Sequence, residues 1–282
     1  MRAVRLKQSV NAALAPFGYQ ITRVRNGDPV TAAKRQQTRS TGSASAAHPL
    51  PVGGEPGDFD VDEFSRSVIN RVAGRTMTSQ FKVLGLIDGL RYLHRHGIDG
   101  DIVECGVWRG GSMMAAALTL MDLGDADREL YLYDTFEGMS EATELDMRRR
   151  DGRSASELLS AAGSDSPLRA RATLEDVRHG MESTQYPGRI HYVQGKVEDT
   201  VPGTAPERIA MLRLDTDWFA STAHELEHLY PRLAPGGVLI LDDYGYWDGA
   251  RRAVDEFLER SGEPLLLIRL SEGRIAVKPM PA

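Results

Sequence analysis

Two short apolar runs, 209–214 and 238–241, stand on either side of a helix-length segment that closes on Pro235-Gly236-Gly237. Each run is too short for a helix and suits a strand buried on both faces. Strand, helix and strand in that order form a βαβ unit with parallel strands. The same pattern predicts strands at 102–107, 129–133 and 189–194, and helices at 112–123, 168–181 and 247–260. Runs at 265–270 and 274–278 flank Ser271-Glu272-Gly273 and read as a hairpin. Parallel strands alternating with helices, closed by an antiparallel hairpin, make a doubly wound, Rossmann-like α/β sheet.

Upstream of the first strand the pattern changes. Leu6, Val10, Ala13, Leu14 and Phe17 recur at helical spacing and predict an amphipathic helix within residues 1–25, suited to packing on the main domain, on a partner subunit in a homo-oligomer, or on a membrane surface. Residues 26–60 are rich in Gly, Pro, Ser, Thr and Ala and read as a flexible linker. The main domain is placed at 61–282. It begins with a helical extension over 61–97, whose second helix, 80–96, carries Val83, Ile87, Leu90 and Leu93 on one face and stops at Gly97. Residues 139–167 are polar and charge-rich without a clear strand, and read as a lid-like insertion with short helices.

Composition narrows the function classes. A chain of 282 residues with net charge −6 is not drawn in bulk to nucleic acid. A single cysteine, Cys105, excludes an internal disulfide and a cysteine-based zinc site, and fits a cytoplasmic location. No apolar run approaches the roughly 20 residues of a membrane span, and the N-terminal apolar stretch is short for a signal peptide.

The candidate chemistry gathers at the strand ends. Asp215 and Asp217 follow one strand of the βαβ unit, and Asp242 and Asp243 follow the other. Parallel strands bring all four to the carboxyl edge of the sheet, where open α/β folds bind ligands. Four carboxylates at one edge call for spreading, protonation or a cation, and a hard cation such as Mg²⁺ suits oxygen donors. The turn Gly106-Val-Trp-Arg-Gly110-Gly111 allows close approach of a ligand to the backbone, although its spacing is not that of a dinucleotide site. Asp134, after the second strand, is placed to accept from an adenosine ribose, with Glu137 as its competitor. His224-Glu-Leu-Glu-His228 matches the H-E-x-x-H zinc pattern. Its helix runs along the flank of the sheet, however, and two histidines on a solvated face are expected. Trp108 and Trp218, at strand ends, either line a pocket or cover the sheet edge.

Several linked segments, Arg75-Thr-Met-Thr-Ser79, Asp101-Ile-Val-Glu-Cys-Gly-Val-Trp-Arg-Gly-Gly-Ser112, Asp134-Thr-Phe-Glu-Gly138, Leu214-Asp-Thr-Asp217 and Leu229-Tyr-Pro-Arg-Leu-Ala-Pro-Gly-Gly237 through Tyr244, resemble the macrocin O-methyltransferase family over roughly residues 70–262. The resemblance implies a class I methyltransferase fold, S-adenosyl-L-methionine as methyl donor, Mg²⁺, and a sugar hydroxyl on a natural product or glycan as acceptor. It implies Asp215, Asp242 and Asp243 as metal ligands and Asp217 as general base. It implies Thr76 and Met77, then Glu104, Cys105, Gly106, Val107 and Trp108, then Asp134, Thr135, Phe136, Glu137 and Gly138 as cofactor contacts. Gly195 and Lys196 lie where such folds meet the adenine. Trp218 replaces an expected aliphatic residue and bears on the shape of the acceptor pocket. A phenolic acceptor with the same metal logic, or an NAD-binding oxidoreductase, are the competing readings.

Overall fold

The computed structural model describes residues 61–280. The helix expected over 4–17 and the linker over 26–60 lie outside the described residues. Among the described residues two helices come first, α1 (Glu63–Val72) and α2 (Gln80–Arg95). Asp62 and Ser79 cap them by accepting from Ser65 N and Lys82 N. Then follow β1 (Asp101–Cys105), α3 (Gly111–Leu123), β2 (Leu130–Asp134), the short pair β3 (Met147–Arg148) and β4 (Arg153–Ser154), α4 (Ala155–Ala161) and α5 (Leu174–Glu182). The chain continues through β5 (Ile190–Gln194), α6 (Val197–Thr200), β6 (Ile209–Leu214), α7 (Phe219–Leu229), β7 (Leu233–Leu241), α8 (Asp248–Ser261), β8 (Ile268–Leu270) and β9 (Gly273–Val277).

Seven strands form one sheet in the order β5-β2-β1-β6-β7-β9-β8. The first five are parallel, β9 adds antiparallel to β7, and β8 adds antiparallel to β9. The chain winds outward from β1 in one direction and then from β6 in the other. The order therefore reverses between β1 and β6, and a crevice opens there at the carboxyl edge.

Alternation along the strands builds two cores. Ile102, Met211, Val238 and Ile240 pack under α1, α2, α3 and α5. Val103, Cys105, Leu212, Leu214, Leu239 and Leu241 pack under α7 and α8. Glu104 and Arg213 hold the same parity as the first set, so they lie on the α2 side, and they are register partners on adjacent strands. Among the described residues no helix is long and apolar enough to cross a membrane.

Several boundaries differ from expectation. The helix predicted from residue 168 begins at Leu174, because Pro167–Arg169 form a 3-10 turn and Ala170 takes φ +43°. β7 starts at Leu233 and includes the Pro-Gly-Gly segment, which the sheet absorbs as a register shift between Ile209 and Met211. Residues 139–167 do contain strands, the antiparallel pair β3–β4. That insertion has its own small core, in which Ala155 and Leu158 meet Trp218, Trp247 and Ala250. Fully buried Asp146 ties it down by accepting from Phe219 N at 2.8 Å and from Thr143 N at 2.7 Å.

Candidate active site

The glycine turn after β1 is shaped by its neighbours. Gly106 has φ +83°, and a Cβ there would lie 2.1 Å from Asp215 O, so β1 and β6 close on each other at the switch point only with glycine. Gly111 N donates to Arg75 O at 2.9 Å, which seats the Arg75–Ser79 segment directly against the turn. Arg75 and Arg109 both pair with Asp176 on α5, at 3.3 and 2.7 Å, and fasten that arrangement from outside. Thr76 is half-buried there and Met77, an apolar side chain, is 48% exposed.

Asp134 lies at the end of β2, as the sequence predicts, but its carboxylate serves the loops. Oδ2 accepts from Val107 N and Trp108 N, both at 2.9 Å, and Oδ1 accepts from Phe136 N at 2.7 Å. Trp108 and Phe136 both hold positive φ, 45° and 54°, in conformations these bonds stabilise. Burial pushes the Asp134 pKa up, opposed by those three N–H donors. Thr135 Oγ1 closes the same loop on Gly138 O at 2.7 Å, while Glu137 is exposed. Gly195 N donates to Asp134 O, which sets Gly195 and the exposed Lys196 beside this loop.

The acids after β6 and β7 converge. Asp215, Asp242 and Asp243 offer carboxylate oxygens that all lie within 4.8 Å of one another. Asp217 sits beside them, its N–H donating to Asp243 Oδ2 at 3.2 Å and its Oδ1 accepting from Trp247 Nε1 at 2.6 Å. Its φ is +68°, a left-handed conformation that aspartate tolerates better than most residues. Burial first, and the charge of Asp215 next, push the Asp217 carboxyl up to about 7.

Two cations are built into this cluster, and pattern reading found neither. Arg213, buried within β6, pairs with Glu104, with Asp215 at 2.7 Å and with Asp242 at 2.6 Å, and donates to Thr78 Oγ1 at 2.7 Å. Lys82, on α2, reaches Asp242 Oδ2 at 2.6 Å and Asp242 O at 3.0 Å. Burial alone would raise the Asp242 pKa, but Arg213 and Lys82 outweigh it and hold the group at about 2. Asp215 and Asp243 go the other way, driven well up by burial and by neighbouring carboxylates. Buried Glu104 is pushed to about 7, and its Oε2 has no hydrogen-bond partner. Five carboxyls thus face two cationic side chains, and three of them, Asp215, Asp242 and Asp243, converge as oxygen donors of the kind a hard divalent cation takes.

The H-E-x-x-H residues stand apart from the acids. His224 Nε2 pairs with Val201 O at 2.9 Å, and the His224 ring packs on that of His228. Both histidines are half-buried, so that helix face is less solvated than expected. Glu225 between them is fully buried and accepts from Thr216 Oγ1 at 3.2 Å. Trp218 is 2% exposed, donates to Ser140 O at 3.2 Å and belongs to the core under the insertion.

Comparison with known proteins shows the family and the fold. Residues 55–269 match the family model described as macrocin-O-methyltransferase (TylF). The chain is 36% identical over 206 residues to the 8-demethyl-8-(2,3-dimethoxy-alpha-L-rhamnosyl)-tetracenomycin-C 4'-O-methyltransferase of Streptomyces olivaceus, covering 68% of this chain and 73% of that one. It is 34% identical over 168 residues to mycinamicin III 3''-O-methyltransferase of Micromonospora griseorubida, covering 60% and 64%. Among solved structures it superposes on the O-methyltransferase NovP with a TM-score of 0.63 at 25% identity, covering 73% of this chain and 83% of that one. The fold is that of class I methyltransferases, and an oxidoreductase reading finds no support. The chain belongs to the macrocin-O-methyltransferase family and is an O-methyltransferase.

Proposed function

We propose that the protein transfers a methyl group from S-adenosyl-L-methionine to a sugar hydroxyl of a natural product or glycan, with Mg²⁺ held by Asp215, Asp242 and Asp243. The convergence of these three carboxylates within 4.8 Å, with Asp217 beside them at the switch point, carries this reading. The sugar acceptor rests on the relatives, two of which are named for methylation at positions of glycosylated antibiotics. The donor set suits Mg²⁺, since all of its atoms are carboxylate oxygens.

When bound, S-adenosyl-L-methionine supplies a methyl carbon activated by its sulfonium, and Mg²⁺ supplies positive charge that eases ionisation of an alcohol. The protein's own residues do the rest. Asp217 takes the proton from the acceptor hydroxyl, a task suited to a carboxyl raised toward neutrality. Trp247 Nε1–H holds the carboxylate in place from one side and the Asp243 carboxylate fixes its backbone from the other. Arg213 keeps Glu104, Asp215 and Asp242 in a single constellation.

Thr76 and Met77, the turn from Glu104 to Trp108, and the loop from Asp134 to Gly138 would hold the cofactor, with Gly195 and Lys196 on the adenine side. Val107 N, Trp108 N and Phe136 N take three of the accepting positions of the Asp134 carboxylate, while the single Thr135 hydroxyl hydrogen goes to Gly138 O. Exposed Glu137 is the freer acceptor for the ribose hydroxyls. The test is turnover of S-adenosyl-L-methionine with a panel of glycosides and phenols, with and without Mg²⁺. Glycoside methylation that requires Mg²⁺ supports the reading, and turnover confined to phenols overturns its acceptor half.

A further inference from the structure

We propose that Lys82 is an internal counter-ion that competes with the divalent cation for Asp242, a role that rests on the metal reading above. The ammonium occupies Asp242 Oδ2 at 2.6 Å, and the same nitrogen reaches Asp242 O at 3.0 Å. Arg213 takes the other carboxylate oxygen, Oδ1, at 2.6 Å. Both oxygens of one of the three candidate ligands are thus engaged by cations of the protein itself.

The two cations are not equivalent. Arg213 is anchored in β6, opposite Glu104 in register, and its planar guanidinium bridges three carboxylates at once. It is part of the frame. Lys82 approaches from α2, outside the doubly wound sheet, on a flexible four-carbon stem that ends in a point charge. Its ion pair is nearly dry, with the two side chains 10% and 7% exposed. Water screens such a pair poorly, so a second cation brought to Asp242 is repelled by the ammonium at close range. The lysine holds the acids together when no metal is bound and gives way at Asp242 Oδ2 when one is.

This assignment predicts an effect opposite to that of a simple structural ion pair. In the full-length protein, titration calorimetry with MgCl₂ alone measures the Mg²⁺ Kd. Lys82→Met, which keeps the stem and removes the charge, should bind Mg²⁺ about tenfold more tightly or better. Its metal-free Tm should fall below that of the unsubstituted protein, and saturating Mg²⁺ should close the gap. Lys82→Gln provides a second neutral variant if the methionine fails to fold, and Lys82→Arg, which keeps the charge, should stay within about threefold of the original Kd. An unchanged or weaker Kd in the neutral variants overturns the proposal while leaving the metal site standing. Absence of Mg²⁺ binding by the unsubstituted protein overturns both.

Discussion

The indole N–H of Trp247 donates to Asp217 Oδ1 at 2.6 Å, across thirty residues of chain. The bond comes from the start of α8, where Trp247 is 1% exposed and meets Trp218 and Tyr246 edge-on. In its proposed role of collecting a proton from a hydroxyl of fixed direction, Asp217 gains from being held this way. Trp247→Phe keeps most of the ring and removes the donor. It should lower kcat about tenfold or more while shifting KM little. The lost packing and hydrogen bond should cost about 1–3 kcal/mol, read by urea unfolding.

Asp217→Asn tests the base itself. The amide cannot accept the proton, and turnover should fall by about 10²–10⁴. Titration with S-adenosylhomocysteine should give an affinity close to that of the unsubstituted protein, because the residue lies among the acids and not on the loops proposed to hold the cofactor. Near-normal turnover in this variant would assign the base elsewhere.

Removal of divalent cations with EDTA should reduce methyl transfer to background, and added Mg²⁺ should restore it. The expectation follows from the excess of carboxyls over Arg213 and Lys82. Activity indifferent to EDTA would leave the acids without their proposed partner.

Arg213→Met should destabilise the protein by about 3–5 kcal/mol, since it strands buried Glu104 and leaves Asp215 and Asp242 facing each other. Denaturant midpoints with and without Mg²⁺ measure this, and a loss below about 1 kcal/mol would show that the cluster does not depend on the arginine.

Gly106→Ala is the strictest test of the switch-point geometry. The new methyl would meet Asp215 O at 2.1 Å at a positive φ, and something in the backbone must move. Loss of about 3 kcal/mol or more is expected, together with weakened cofactor binding by calorimetry.

The architecture was legible because the parallel strands are continuous apolar runs and their ends are marked by acids and glycines. The acidic triad was legible for the same reason, since βαβ topology aligns the ends of β6 and β7. What was hidden depended on contacts between distant segments. Arg213 interrupts an apolar run and its burial makes sense only beside Glu104, a partner 109 residues away. Lys82 is one polar position among several on α2 until the helix is placed over the sheet. Residues 139–167 are polar and charge-rich and show no clear strand in the pattern, yet their core is completed by Trp218 and Trp247, which belong to other elements. Asp134 illustrates the limit in another way: its position was predicted correctly, but its bonds to three backbone N–H groups were invisible to pattern.

Those bonds have a consequence for engineering. Because one carboxylate joins the 106–108 turn to the 134–136 loop, the two segments form a single mechanical unit. On the proposed cofactor placement, analogues with altered ribose or adenine groups call for more than editing the second loop alone. A change that displaces Asp134 also frees Val107 and Trp108, and the first turn has to be redesigned with it.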